Sequence, residues 1–314
     1  MGTPEFARAT LACLCRSRHE VLAVVTGPDK PSGRGRKLLP AACRTEANEQ
    51  GVRVLTPLSL KEAGLCDALE ELDADLFVVV AFRILPKKLF VLPRYGSINV
   101  HASLLPKYRG AAPINWALIN GETETGLTSF FLKVDVDAGE IILQEKIPIH
   151  EDDTYDSLSA RLSELSGPFA LKTIDLIESG DYVPLPQDES LATRAPKISP
   201  FDAMIDFGLP ARRVRDFVRG MATRPGAYTY FRGTKMKVHA CSVAETAAGR
   251  DGRPGTVLSA KKELVVQCDR SAVRLVRVVP EGRAEMDGVS FINGYRPQAG
   301  EVFGEIPESA REQL

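Results

Sequence analysis

The sequence predicts an α/β fold followed by a smaller all-β domain, and three observations carry that prediction. Through residues 1–182, short and nearly continuous apolar runs alternate with segments of helical periodicity. A proline-rich stretch, 183–204, interrupts the pattern. From 205 to 314, strand-like runs recur about every ten residues, separated by turn signals. Strand–helix alternation belongs to a parallel or mixed sheet covered by helices, and closely spaced short strands belong to a small barrel or sandwich.

Taken in order, the chain opens on GTPEF, a turn leading into a helix. An α/β sheet normally has a strand feeding its first βα turn, so a strand is expected ahead of it and the natural chain is expected to begin upstream. VLAVVT (21–26) and DLFVVVAF (75–82) are β-branched and almost wholly apolar, the texture of strands buried on both faces. Between them, LKEAGLCDALEEL (60–72) consists of helix formers with apolar residues at helical spacing. GSINV, LTSFFLKV (127–134) and EIILQEKIPI (140–149) continue the strands, and a long helix is predicted over 154–178 with Gly180 as its stop. Pro184, Pro186, Pro196 and Pro200 make 183–201 a semi-rigid linker rather than an element. Beyond an Arg-rich segment (210–221) come the short strands AYTYF, KMKVHACSV, GTVLSAK, ELVVQC and AVRLVRVV.

Hydrophobic residues at 44% and charged residues at 26% of 314 place the chain among soluble globular proteins. The longest apolar runs, such as 76–82, fall far short of the ~20 residues that span a bilayer. No charged-then-apolar segment opens the sequence, and a cytoplasmic location is expected. Six cysteines without a CxxC pair read as reduced structural thiols, and no metal is expected. Charge is unevenly spread: from Ile205 onward 18 Lys+Arg face 13 Asp+Glu, against 22 and 28 before it. A basic second domain suits a polyanionic partner, although ordinary solvated charge gives the same count.

Three features carry chemistry. Asn99 and His101 share one face of a strand by period-two alternation, at the carboxyl end where α/β sheets bind ligands. An amide donates to a developing oxyanion and an imidazole moves protons near neutral pH, but a histidine that merely ends a strand has the same sequence. In KVDVDAGEI, Asp135 and Asp137 lie together at another strand end, either orienting His101 or capping an acidic turn. With no activated Ser or Cys nearby, direct transfer between two bound substrates is favoured over a covalent intermediate. The loop GPDKPSGRGRKLLP carries Lys30, Arg34, Arg36 and Lys37; it fits neither GxGxxG nor a P-loop, and reads as a phosphate-backbone contact or as a solvated loop.

NVHASLLPKYRGAAPINWALINGETETGLT, VDVDAGEII, GTPEFA, KPSGRGRKLLP, APKIS and INGYRPQAGEVF together resemble the methionyl-tRNA formyltransferase family, over nearly the whole chain. The resemblance implies a Rossmann-like, mostly parallel catalytic domain (1–182, its first strand missing), a linker (183–204) and an OB-like C-terminal barrel (205–314) that holds tRNA. It implies formyl transfer from 10-formyltetrahydrofolate to initiator methionyl-tRNA, in a monomer, with Asn99, His101 and Asp137 catalytic. Ser103, Leu104, Leu105 and Pro106 would line the folate pocket with Phe82, Ile84 and Leu85, the turn leaving backbone amides free for the pterin ring. Lys30, Arg34, Arg36 and Lys37 would meet tRNA. Where many members carry AYGxILP this chain has AFRILP, one residue shorter. A sugar-nucleotide N-formyltransferase shares the SLLPKYRG region and is the alternative; the GRGRKLLP loop separates the two.

Overall fold

The computed structural model describes residues 1–32, 37–245 and 252–308. The chain forms two compact units. One comprises Met1–Pro113, Glu124–Pro148 and Ser159–Ala195; the other comprises Ile114–Thr123, Ile149–Leu158 and Pro196–Leu314. The second unit thus gathers two short pieces from within the first 182 residues, which no linear division of the sequence reveals.

In the first unit, GTPEF leads into helix α1 (Glu5–Cys15), with Glu5 favourably placed in the first turn. Strand β1 (Ala23–Val25) is followed by a hairpin of β2 (Lys30–Ser32) and β3 (Lys37–Leu39), then by helix α2 (Ala42–Glu49) and β4 (Arg53–Leu55). β1 and β4 pair in parallel. Helix α3 (Ala63–Glu70) leads to β5 (Phe77–Val80) and helix α4 (Lys87–Phe90) to β6 (Ser97–His101), again a parallel pair. The short β7 (Arg109–Gly110) is followed by helix α5 (Pro113–Ile119), which from Ile114 belongs to the second unit, and then by β8 (Glu124–Phe131) and β9 (Ile141–Pro148) of the first. These last two extend β6 antiparallel, so the four-stranded sheet runs β5-β6-β8-β9. The βα half of the fold is parallel as its apolar strands predict; the sheet turns antiparallel at β8, which follows β7 and α5, and continues so through the β8–β9 hairpin. Helix α6 (Tyr155–Ser179) ends at Gly180, whose φ of 71° only glycine adopts freely.

The stretch expected to be a linker is part of this unit. β10 (Arg194–Ala195) pairs in parallel with β7, and Leu185 exchanges two backbone hydrogen bonds with Ile141. Its partners, β7 and the start of β9, are distant in sequence, so no local periodicity announces them.

Met1 and Gly2 run between β1 and β5. The Gly2 N–H donates to the Val25 carbonyl, the Val80 N–H donates to the Met1 carbonyl, and the buried Met1 amine donates to Val78. Alongside these residues the two strands flank a groove of about 440 Å³, lined chiefly by apolar side chains that include Leu11, Val24, Phe77 and Ile177.

In the second unit, helix α7 (Ala211–Met221) sends Val214, Val218 and Met221 into the core and leaves Arg212 and Arg213 exposed. A sheet of β11 (Tyr228–Phe231), β12 (Thr234–Val243), β13 (Val257–Ala260), β14 (Leu264–Gln267), β15 (Ala272–Pro280) and β16 (Met286–Asp287) runs in the order β11-β12-β15-β14-β13, with β16 on β15. Helix α8 (Gly288–Tyr295) begins at the Asp287 cap and packs Phe291 into the core. Thr256 bridges Val302 and Phe231 bridges Phe303, so the last strand segment closes the curled sheet. Bulges at Ala240 and between Val257 and Ser259 supply the bend that closure demands.

Candidate active site

The site grows from the C-terminal end of β6. Alternation along Ser97–His101 puts Asn99 and His101 on one face, as the sequence implies. His101 is 6% exposed, and its Nε2 lies 2.9 Å from the Tyr108 carbonyl. A carbonyl only accepts, so Nε2 carries the hydrogen and Nδ1 of the neutral ring holds the lone pair. Nδ1 faces the Asp137 carboxylate at 3.9 Å, too long for a hydrogen bond. The Oδ1 position of Asn99 is buried with no partner among the described residues; rotating the amide by half a turn places its NH2 there.

Asp137 does not sit at a strand end. Residues 133–140 form an irregular loop, Asp135 is exposed, and Asp137 takes the left-handed φ of 54° that few non-glycine residues adopt. Its Oδ2 accepts from the Gly110 N–H at 2.8 Å. Two glycines make this approach possible. A Cβ on Gly139 would lie 1.6 Å from the Phe131 carbonyl, and one on Gly110, at φ 128°, would lie 2.5 Å from the Ala195 carbonyl.

Sequence reasoning missed a group of residues from the 185–195 stretch. Gln187 Nε2 donates to the Asp137 and Gly139 carbonyls, both at 2.8 Å. Its Oε1 accepts from Arg109 Nε at 3.0 Å and Nη2 at 2.8 Å, and the same guanidinium pairs with Glu189 at 2.7 Å. Thr193 Oγ1 accepts from the Tyr108 N–H at 2.8 Å, fixing the residue whose carbonyl fixes His101. In the sequence Gln187 stands beside Asp188, Glu189 and Ser190, and nothing singles it out.

The turn after His101 is tied from within. Thr128 Oγ1 donates to the Ser103 carbonyl at 2.6 Å and accepts from the Leu105 N–H at 3.1 Å and Gln144 Nε2 at 3.0 Å. The Leu105 amide, expected to be free for a ring, is therefore taken, and Leu105 packs with Phe130 and Ile141. Ser103 is fully buried, while Leu104 and Pro106 are half-buried. Phe82 packs beside Leu85 against the β1–β5 core, with the Arg83 guanidinium 5.2 Å over its ring, and Ile84 is 73% exposed. Lys30 and Lys37 lie on the two arms of the β2–β3 hairpin; Arg34 and Arg36 fall outside the described residues. Asp29, the acid beside that hairpin, is paired with Arg44 at 2.8 Å.

One group of metal-type donors is close enough together among the described residues: His19, Asp175 and Glu178, whose two carboxylates already pair with Arg18. No described helix is long and apolar enough to cross a membrane.

Comparison with known proteins extends this picture. Residues 1–174 match the formyl transferase family model, and residues 197–296 match that of the formyl transferase C-terminal domain. The methionyl-tRNA formyltransferase of Geobacter sulfurreducens is 41% identical over 307 residues, 97% of this chain and 96% of that protein. That of Porphyromonas gingivalis is 39% identical, covering 94% of each. Among solved structures, the sugar 3N-formyl transferase WlaRD shares the fold with a TM-score of 0.65, at 18% identity over 90% of this chain and 97% of that one. An N-formyltransferase from Helicobacter canadensis gives the same TM-score at 19% identity, over 87% of this chain and 96% of that one. Similarity of this depth, end to end and through both halves, places the chain in the methionyl-tRNA formyltransferase family.

Proposed function

We propose that the protein transfers the formyl group of 10-formyltetrahydrofolate to the amino group of initiator methionyl-tRNA in the cytoplasm. The observation that carries the chemistry is the buried His101, with Nε2–H committed to the Tyr108 carbonyl and Nδ1 facing Asp137 at 3.9 Å. The bound folate supplies an activated formyl carbon and accepts the departing proton. The chain's own residues do the rest. The Asn99 amide donates to the formyl oxygen as the amine adds and negative charge develops there. His101 Nδ1 takes the proton shed by the attacking nitrogen, and the Asp137 carboxylate stabilises the imidazolium so formed. The new C–N bond is then kept, the old one breaks, and the Nδ1 proton passes to the leaving folate nitrogen. Ser103, Leu104, Leu105, Pro106, Phe82, Ile84 and Leu85 form the folate side of this proposal. Burial of Ser103 and Leu105 makes them the frame of the turn, and the more exposed Leu104, Pro106 and Ile84 its contact face.

Lys30, Arg34, Arg36 and Lys37 are the proposed tRNA contacts, helped by exposed basic residues of the second unit. Part of that unit's basic surplus is spent internally: Arg215 and Arg219 both pair with Asp216, and Arg232 pairs with Glu301. Arg212, Lys261 and Lys262 remain exposed. The end-to-end match to tRNA enzymes at about 40% identity favours this acceptor over a sugar nucleotide, whose enzymes share the fold at 18–19%. The test is formylation of charged initiator tRNA with a 10-formylfolate donor. We expect turnover by the wild-type chain and a loss of about 100-fold or more in kcat for His101→Ala. Full activity of that variant, or a preference for an aminosugar nucleotide, would refute the reading.

A further inference from the structure

We propose that Gln187 is a positioning residue, which holds the Asp137 loop so that its carboxylate meets His101 Nδ1 when that nitrogen is protonated. The proposal rests on the reading of Asp137 given above. Asp137 needs outside support for two reasons: its left-handed backbone is unfavourable for a residue with a Cβ, and residues 133–140 have no regular secondary structure to impose it. Gln187 grips this loop at the strained residue and two residues beyond it, donating to the carbonyls of Asp137 and Gly139. The grip is itself anchored, because Oε1 of the same amide accepts two N–H groups from Arg109, and Glu189 holds that guanidinium from the far side. Arg109 immediately precedes Gly110, whose N–H donates to the Asp137 carboxylate. Main chain and side chain of Asp137 are thus fixed by one continuous network running Glu189–Arg109–Gln187.

Only a primary amide of this length satisfies the arrangement. It must donate two N–H groups to carbonyls at one end and accept from a guanidinium at the other. A glutamate of the same size keeps the arginine and loses the carbonyls, since a carboxylate has no hydrogen to give them. Asparagine is one methylene short.

The test compares Gln187→Glu, Asp137→Asn and the double variant in steady-state formylation, with thermal unfolding of each. We expect Gln187→Glu to lose about 10- to 100-fold in kcat while KM for both substrates moves less than about threefold, the signature of misplacement rather than lost binding. If Gln187 acts through Asp137, the double variant is no slower than Asp137→Asn alone. Three results would overturn the proposal: kcat of Gln187→Glu within about twofold of wild type, losses that multiply in the double variant, or failure of Gln187→Glu to fold, which assigns the residue to stability instead. The Asp137→Asn arm separates the layers. Wild-type kcat there defeats the catalytic reading itself, whereas a slow Asp137→Asn beside a fast Gln187→Glu defeats only the role of Gln187.

Discussion

Thr128 carries more of the site than its size suggests. It is completely buried on β8 opposite His101, and its hydroxyl joins the Ser103 carbonyl, the Leu105 amide and Gln144. Valine has the same shape without the hydroxyl, so Thr128→Val strands a buried amide and a buried carbonyl at once. We expect a loss of about 1–3 kcal/mol in urea denaturation, together with weaker folate binding as the turn loosens. Residues of this kind are illegible in a sequence: LTSFF reads as a strand whichever of its side chains bonds a turn. Asn99 and His101 were legible because period-two alternation alone places them together at a strand end. Alternation in KVDVDAGEI points to Asp135 and Asp137 alike, only the family resemblance separates Asp137 from its neighbour, and nothing in the sequence points to Gln187.

At the level of elements, the apolar runs identify β1 and β5 because a strand buried on both faces leaves little room for polar residues. The linker predicted over 183–204 contains a strap, residues 185–195, because its bonds go to β7, to the start of β9 and to the 137–139 carbonyls rather than to neighbours in sequence.

Across the molecule as a whole, charge is unevenly distributed. A net charge of −1 conceals the basic hairpin of the first unit and the exposed basic residues of the second. Contacts to a phosphate backbone supply affinity that weakens with salt, and the folate contacts proposed for the turn after β6 involve none of these cations. Arg34→Ala is expected to weaken tRNA binding severalfold and to lower the slope of log K against log salt by about one, leaving folate affinity unchanged. Filter binding across a salt series, beside folate fluorescence titration, measures both. Equal losses for the two ligands would remove this residue from the tRNA surface.

Composition and periodicity were sufficient for the α/β order of the first half, the closely spaced strands of the second and the face shared by Asn99 and His101, because each depends on spacing along one segment. The left-handed Asp137, the orientation of the His101 ring, the Thr128-tied turn and the Gln187 strap depend on groups brought together from residues 101–139 and 185–195. Their partners are mostly backbone carbonyls and amides, which every residue possesses. A hydrogen bond to such a group leaves no mark on the identity of the residue that supplies it, and so only the folded chain reveals it.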